Sequence, residues 1–227
     1  MFSNTQIRAK ARAALGNNIF SGEWLYALIV VLAVSAITTA LGTTAVGSII
    51  VYGILMCACS AYFIGRIRGN VEYKNLGVTI DTLKVDVVGN ILTGVLYNIF
   101  ILLWSMLFVI PGIVKSCSYA MTFYVKNDNP ELSANDAITE SRRLMDGYKM
   151  QYFMLQLSFI GWIIVGSLCF GIGSLWVAAY MEAAKAAFYE EVKAAKAPII
   201  EATAEEAASA EESAPAEEAA PAEEAAE

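Results

Sequence analysis

The chain has 227 residues, of which 57% are hydrophobic and only 16% charged, a balance that excludes an ordinary soluble domain and points to a membrane protein. The formal charge of -7 misleads, because the acidic end from Ala197 onward holds 10 of the 22 acidic residues and none of the 15 basic ones, so the body carries 15 basic against 12 acidic groups. There is no histidine, which removes the commonest general base and metal ligand, and nothing suggests a nucleic-acid partner.

Taken in chain order, residues 4–15 place Ile7, Ala11 and Leu15 on one side of a helix and Arg8 and Arg12 on the other, with Gly16 as the stop. A bilayer core needs roughly 20 apolar residues per helix, and 24–41 and 45–65 both qualify, joined by the uncharged turn LGTTA. A basic start before an apolar run mimics a cleavable signal peptide, but this run begins only at Trp24 and is 18 residues long, late and long for a signal. Inside the second span Gly53, Cys57, Ala61 and Gly65 recur four apart, a small-residue stripe that lets another helix approach closely. Internal packing is the favoured use of that stripe, and a homo-oligomer face is the alternative. Residues 71–84 repeat the amphipathic pattern with Leu76, Ile80 and Leu83, weakened by Gly77 and by β-branched neighbours.

The third span, 87–110, ends at Pro111 and Gly112, since the residue before a proline is pushed out of helical geometry. A short stretch at 113–125 follows and carries Lys115. The segment ELSANDAITESRRLMDGYKM then interrupts the apolar sequence. Ser133 with Asp136 reads as a capping-box start and Gly147 as a stop. Between them Ala134, Ala137, Ile138, Ser141, Leu144, Met145 and Tyr148 share a face opposite Asn135, Glu140, Arg142, Arg143 and Asp146. This predicts an interfacial helix over 133–147 whose apolar face lies in lipid or against the bundle. Residues 150–170 form a long span and 174–189 a short one containing Glu182 and Lys185.

Orientation follows lysine and arginine in short loops. With six spans, 14 of the 15 basic residues fall on one side and Lys115 is the exception. The expected fold is therefore all-α: a polytopic membrane protein with six transmembrane helices in three hairpins, each preceded by a cytoplasmic amphipathic elbow. Both termini are expected on the cytoplasmic side, and the membrane domain is 1–196. A re-entrant 113–125 is the alternative. Residues 197–227, broken by Pro215 and Pro221, are expected to be a disordered acidic tail, either a solvated entropic segment or a docking segment for a basic partner.

The intramembrane charges Lys115, Glu182 and Lys185 are the residues to suspect, since a charge at the bilayer centre costs at least about 2.5 to 3.5 kcal/mol on insertion scales. Lys115 and Lys185 can snorkel towards the surfaces, whereas Glu182 needs a partner, Lys185 three residues on or Lys115 across the bundle. A structural ion pair is the simpler expectation; a polar substrate or ion site is the sharper one. Arg142 and Arg143 suit the phosphates of anionic lipids, although the positive-inside bias alone would place them there. Cys57, Cys59, Cys117 and Cys169 sit in apolar runs with no C-x-x-C spacing. No catalytic motif, cofactor fingerprint or metal-ligand spacing is present, so an enzyme is not expected.

Residues 110–192, and the opening IRAKARAAL followed by Trp24 and a span, resemble a family of bacterial integral membrane proteins classed only as a domain of unknown function. The resemblance runs over roughly the first 195 residues and is most specific at Ile110–Gly112, Asp128–Pro130, Ala137–Gly147 and Ser158–Trp162. It implies a six-helix membrane protein with no assigned activity. The Pro-Gly corner and the A-x-x-x-S-R-x-L-x-x-G pattern are also similar, more weakly, to the membrane domain of some glycerophosphodiester phosphodiesterases, without their catalytic domain. The family pattern has a proline before the tyrosine of the last span, where this chain has Ala179 before Tyr180, so any kink there is lost. The expected function is non-enzymatic organisation of lipids or a partner through the elbows; a small transporter or channel using Glu182 and Lys115 is the alternative.

Overall fold

The computed structural model describes residues 3–16, 21–41, 45–70, 72, 75–107, 109–168 and 172–212. Among these, every regular element is an α-helix. In chain order they are α1 (Asn4–Ala14), α2 (Gly22–Leu41), α3 (Ala45–Arg68), α4 (Gly77–Val85), α5 (Val87–Leu107), α6 (Val109–Tyr119), α7 (Thr122–Asp128), α8 (Ala134–Leu144), α9 (Lys149–Leu168) and α10 (Ile172–Glu212). The chain divides into two compact units, Met1–Lys193 and Ala194–Glu227.

Among the described residues, four helices are long and apolar enough to cross a membrane, over Gly22–Ala40, Val51–Arg68, Val87–Met106 and Lys149–Ser167. Six spans are predicted from the sequence, and the two short ones differ in instructive ways. The expected helix over 113–125 is broken at Ala120 and Met121 into α6 and α7, neither long enough to cross alone. Hydroxyls at the break bond back to the main chain, Ser118 Oγ to Val114 O at 3.0 Å and Thr122 Oγ1 to Tyr119 O at 2.7 Å, a habit that bends helices. The other short span, 174–189, lies within α10, which is charged and alanine-rich rather than lipid-compatible. Its Ala179, Ala183, Ala184, Ala186 and Ala187 are buried at 1% exposure or less, so the helix is enclosed by protein. The corner before α6 also moves: Pro111 and Gly112 lie inside its first turn, where a missing N–H is harmless, instead of forming the link.

Burial separates the long helices by role. About 61% of the α3 stretch is buried, against 22%, 17% and 22% for α2, α5 and α9. The last three turn apolar side chains such as Leu32, Leu103, Met106 and Ile164 outward, which a hydrocarbon surround requires. α3 packs against α2, α4, α5 and α7. Its stripe explains the approach to α5: a Cβ on Gly53 would stand 2.8 Å from Gly94 Cα, so only a pair of glycines allows this crossing. Gly53, Cys57, Ala61 and Gly65 are all buried within the chain, Gly53 against α5.

The elbows pack inward. α1 opens with a capping box between Ser3 and Gln6, and Gly16 ends it at φ 84°. Ile7, Ala11 and Leu15 are fully buried, while Tyr180 Oη donates to Arg8 O at 3.1 Å and Trp24 Nε1 to Gly16 O at 2.8 Å. α8 follows its predicted pattern closely. Ser133 caps it, Ala134, Ala137, Ile138, Ser141, Leu144 and Met145 are buried against α5, α6 and α7, and Gly147 adopts φ 84°. α4 is shorter than 71–84, and Ile80 on its apolar side is 51% exposed rather than packed on the bundle. In the second unit α10 continues to Glu212, where irregular chain is predicted from 197; alanine and glutamate favour helix, and the interrupting Pro215 and Pro221 lie outside the described residues.

Candidate functional site

The enclosed part of α10 supplies the charged pair. Glu182 and Lys185 lie one turn apart, and Lys185 Nζ donates to Glu182 Oε1 at 2.6 Å. Their side chains keep 18% and 22% exposure, and both line a cavity of about 290 Å³. The alanines of α10 allow rings from α7 and α9 to close around it: Phe159 against Tyr180, Tyr152 against Phe188, and Tyr124 stacked on Tyr189. A helix with larger residues at those positions could not be surrounded so tightly.

The cavity wall is assembled from α3 (Tyr52, Met56, Ser60), α5 (Tyr97), α6 (Ile113, Ser116, Cys117), α7 and the break before it (Ala120, Phe123, Tyr124), α9 (Tyr152, Phe153, Gln156) and α10. Tyr52, Tyr97 and Phe123 form one aromatic corner, with ring centroids 5.2 to 6.2 Å apart. Gln156 Nε2 donates to Tyr152 Oη at 2.6 Å, which leaves Gln156 Oε1 buried without a partner. Tyr124 Oη is buried and unpartnered as well. Such groups carry a desolvation cost unless something meets them, and both belong to residues of the cavity wall. Glu182 and Lys185 are the charged side chains among the lining residues.

At one end of the bundle two further charge networks tie the helices together. Lys126, with its side chain only 2% exposed, sends its three donors to Asp86 Oδ2, Pro130 O and Leu132 O, each at 2.7 Å. Asp86 also accepts from Gly89 N, and the Lys126 bond, then that N–H, hold its carboxyl below its ordinary value. Asp128 accepts from Arg68 through both oxygens at 2.8 and 2.7 Å, from Tyr189 Oη at 2.8 Å and from Lys193 Nζ at 2.5 Å. Burial is the largest single influence on Asp128 and pushes its pKa up. The bonds from Arg68, Lys193 and Tyr189 together outweigh it and hold the carboxyl below the usual range.

The structure joins Glu182 to Lys185 and leaves Lys115 elsewhere. Lys115 Nζ sits over the Trp104 ring at 4.4 Å, outside the cavity wall, and feels the charges of Arg142 and Lys149. Arg142 and Arg143 occupy the exposed face of α8, and Arg143 is engaged by both carboxylate oxygens of Glu140 at 2.9 and 2.8 Å. Sequence reasoning did not single out Tyr52, Tyr97, Tyr124, Tyr152 and Gln156. The available signal was Tyr52, Tyr97 and Gln156 placed within apolar runs; Tyr124 and Tyr152 stand near run ends, where amphipathic rings usually sit, and carried none. Among the described residues no group of three metal-ligating side chains occurs.

No curated protein and no solved structure matches the chain. One family model does match, beginning at Met106, so the first 105 residues of the expected resemblance lie outside it. Within it fall all residues of the cavity wall except Tyr52, Met56, Ser60 and Tyr97. Over residues 106–196 this chain matches the family described as protein of unknown function (DUF975).

Proposed function

We propose that this protein is a multi-pass membrane protein that admits a small polar solute to the cavity beside Glu182 and Lys185, and that it acts as a carrier rather than an enzyme. The observation that carries the reading is an ion pair opening onto an aromatic-walled cavity in which two further polar groups await partners. A volume of about 290 Å³ lies at the small end of ligand pockets, which favours a solute over a lipid. The break between α6 and α7 supports it too, because transporter sites are commonly built where a helix is interrupted, and Ala120 at the break lines the cavity.

In this reading α6 and α7 act as one interrupted limb returning from α5, and α10 provides the sixth pass. That arrangement makes three hairpins and keeps 14 of 15 basic residues on the cytoplasmic side of a bacterial membrane, with both termini there. The test is a thermal-shift screen of small polar solutes on the full chain in nanodiscs, beside Ala120→Trp, which fills the cavity. A solute that stabilises the wild type and not the filled variant supports the reading. Equal stabilisation of both places binding elsewhere.

A second reading, an anionic-lipid site, is favoured by the exposed face of α8, where Arg142 and Arg143 stand side by side and suit lipid phosphates. Native mass spectrometry from nanodiscs, with Arg142→Gln and Arg143→Gln, decides it. A defined lipid retained by the wild type and lost in the double variant moves the functional site to α8.

A further inference from the structure

Granting the cavity reading just given, we infer that the solute is a zwitterion of amino-acid type, carrying an ammonium and a carboxylate on one small apolar body. The charge of the wall is the starting point. Glu182 and Lys185 are its charged residues, and together they sum to zero. A net cation or anion would add an uncompensated charge to a low-dielectric bundle, whereas a zwitterion leaves the sum unchanged and gives each member of the pair an opposite charge to meet.

The remaining polar groups sort in the same way. Glu182, the orphaned Gln156 Oε1 and the faces of the surrounding rings attract a positive group. Lys185 and the unpartnered Tyr124 Oη supply donors for a carboxylate. The corner formed by Tyr52, Tyr97 and Phe123 has no charge and receives an apolar side chain. An uncharged apolar solute would leave Gln156 Oε1 and Tyr124 Oη unmet, and so would use the least of what the wall offers.

The experiment is calorimetric titration of the full chain in nanodiscs with the proteinogenic amino acids one at a time, then with phenylalanine, phenethylamine and hydrocinnamate as a matched set. The three differ only in which charged groups they keep. At least one amino acid is expected to bind, and the zwitterion to exceed its amine and acid analogues by about tenfold or more, since each analogue strands one member of the pair. Where another amino acid binds best, its own amine and acid form the set. Glu182→Gln should move the preference towards the acid and Lys185→Gln towards the amine; the wild-type ranking stands alone if either variant fails to fold. An amine or acid that binds as well as the zwitterion, in a manner abolished by Ala120→Trp, overturns the zwitterion and leaves the cavity reading intact. Zwitterion binding that survives Ala120→Trp overturns the cavity reading itself. No binding by any amino acid overturns the inference.

Discussion

At the scale of single residues, the enclosed ion pair is the feature with most at stake. Removing one partner leaves the other as an unpaired charge in a poorly polarisable surround, a change that costs about 3 kcal/mol in buried pairs. Glu182→Gln should therefore lower the unfolding temperature of the detergent-solubilised protein, and Glu182→Gln with Lys185→Met should recover much of the loss. An additive double variant would mean that the 2.6 Å contact contributes little. Asp128 behaves differently because its carboxyl is held below its ordinary value by Arg68, Lys193 and Tyr189. A depressed carboxyl contributes stability above its unfolded pKa of about 3.9, and that stability is lost as pH falls through the folded value. Asp128→Asn should thus be about 2 kcal/mol less stable at neutral pH, with the gap closing below about pH 4; a gap that stays constant with pH would contradict the charge-based account.

At the scale of elements, two junctions decide how the helices meet. Gly53 and Gly94 permit the α3–α5 crossing because a Cβ on either would strike the other helix. Gly53→Ala should cost about 1 to 3 kcal/mol through overpacking, seen as a lower melting temperature and broader size-exclusion peaks. A silent substitution would show that the helices can slide apart freely. The second junction is the interrupted α6–α7 limb, whose end is pinned by Lys126 to Asp86, Pro130 and Leu132. Lys126→Met keeps the apolar stem but orphans these acceptors, so hydrogen exchange should rise at residues 122–132 before it rises elsewhere. Uniform exchange along the chain would show that the pin is not local.

At the scale of the whole molecule, the prediction concerns sidedness. In a background whose native cysteines are replaced by alanine, cysteines at Asn75 and Asn129 should react with a membrane-impermeant maleimide only in inverted vesicles. Cysteines at Thr39 and Met106 should react only in intact cells. Labelling of Asn129 from outside would break the three-hairpin arrangement and leave the charge alternation without its explanation.

Whatever depends on local periodicity and on the solvent was legible along the chain. The apolar runs set the long helices, because every backbone polar group in hydrocarbon must be satisfied within its own segment. Spacing and caps determined α1 and α8 down to their buried faces, Ile7, Ala11 and Leu15 in one and Ala137, Ile138 and Ser141 in the other. The i, i+3 spacing of Glu182 and Lys185 made their pairing legible as well. Which surfaces the helices share emerged with the folded bundle, since that depends on close packing between residues far apart in the chain. It broke 113–125 into two helices, enclosed α10 on account of its alanines, and turned Lys115 towards Trp104. It also brought Tyr52, Tyr97, Tyr124, Tyr152 and Gln156 around the Glu182–Lys185 pair, from four helices whose separate sequences carry no trace of that meeting.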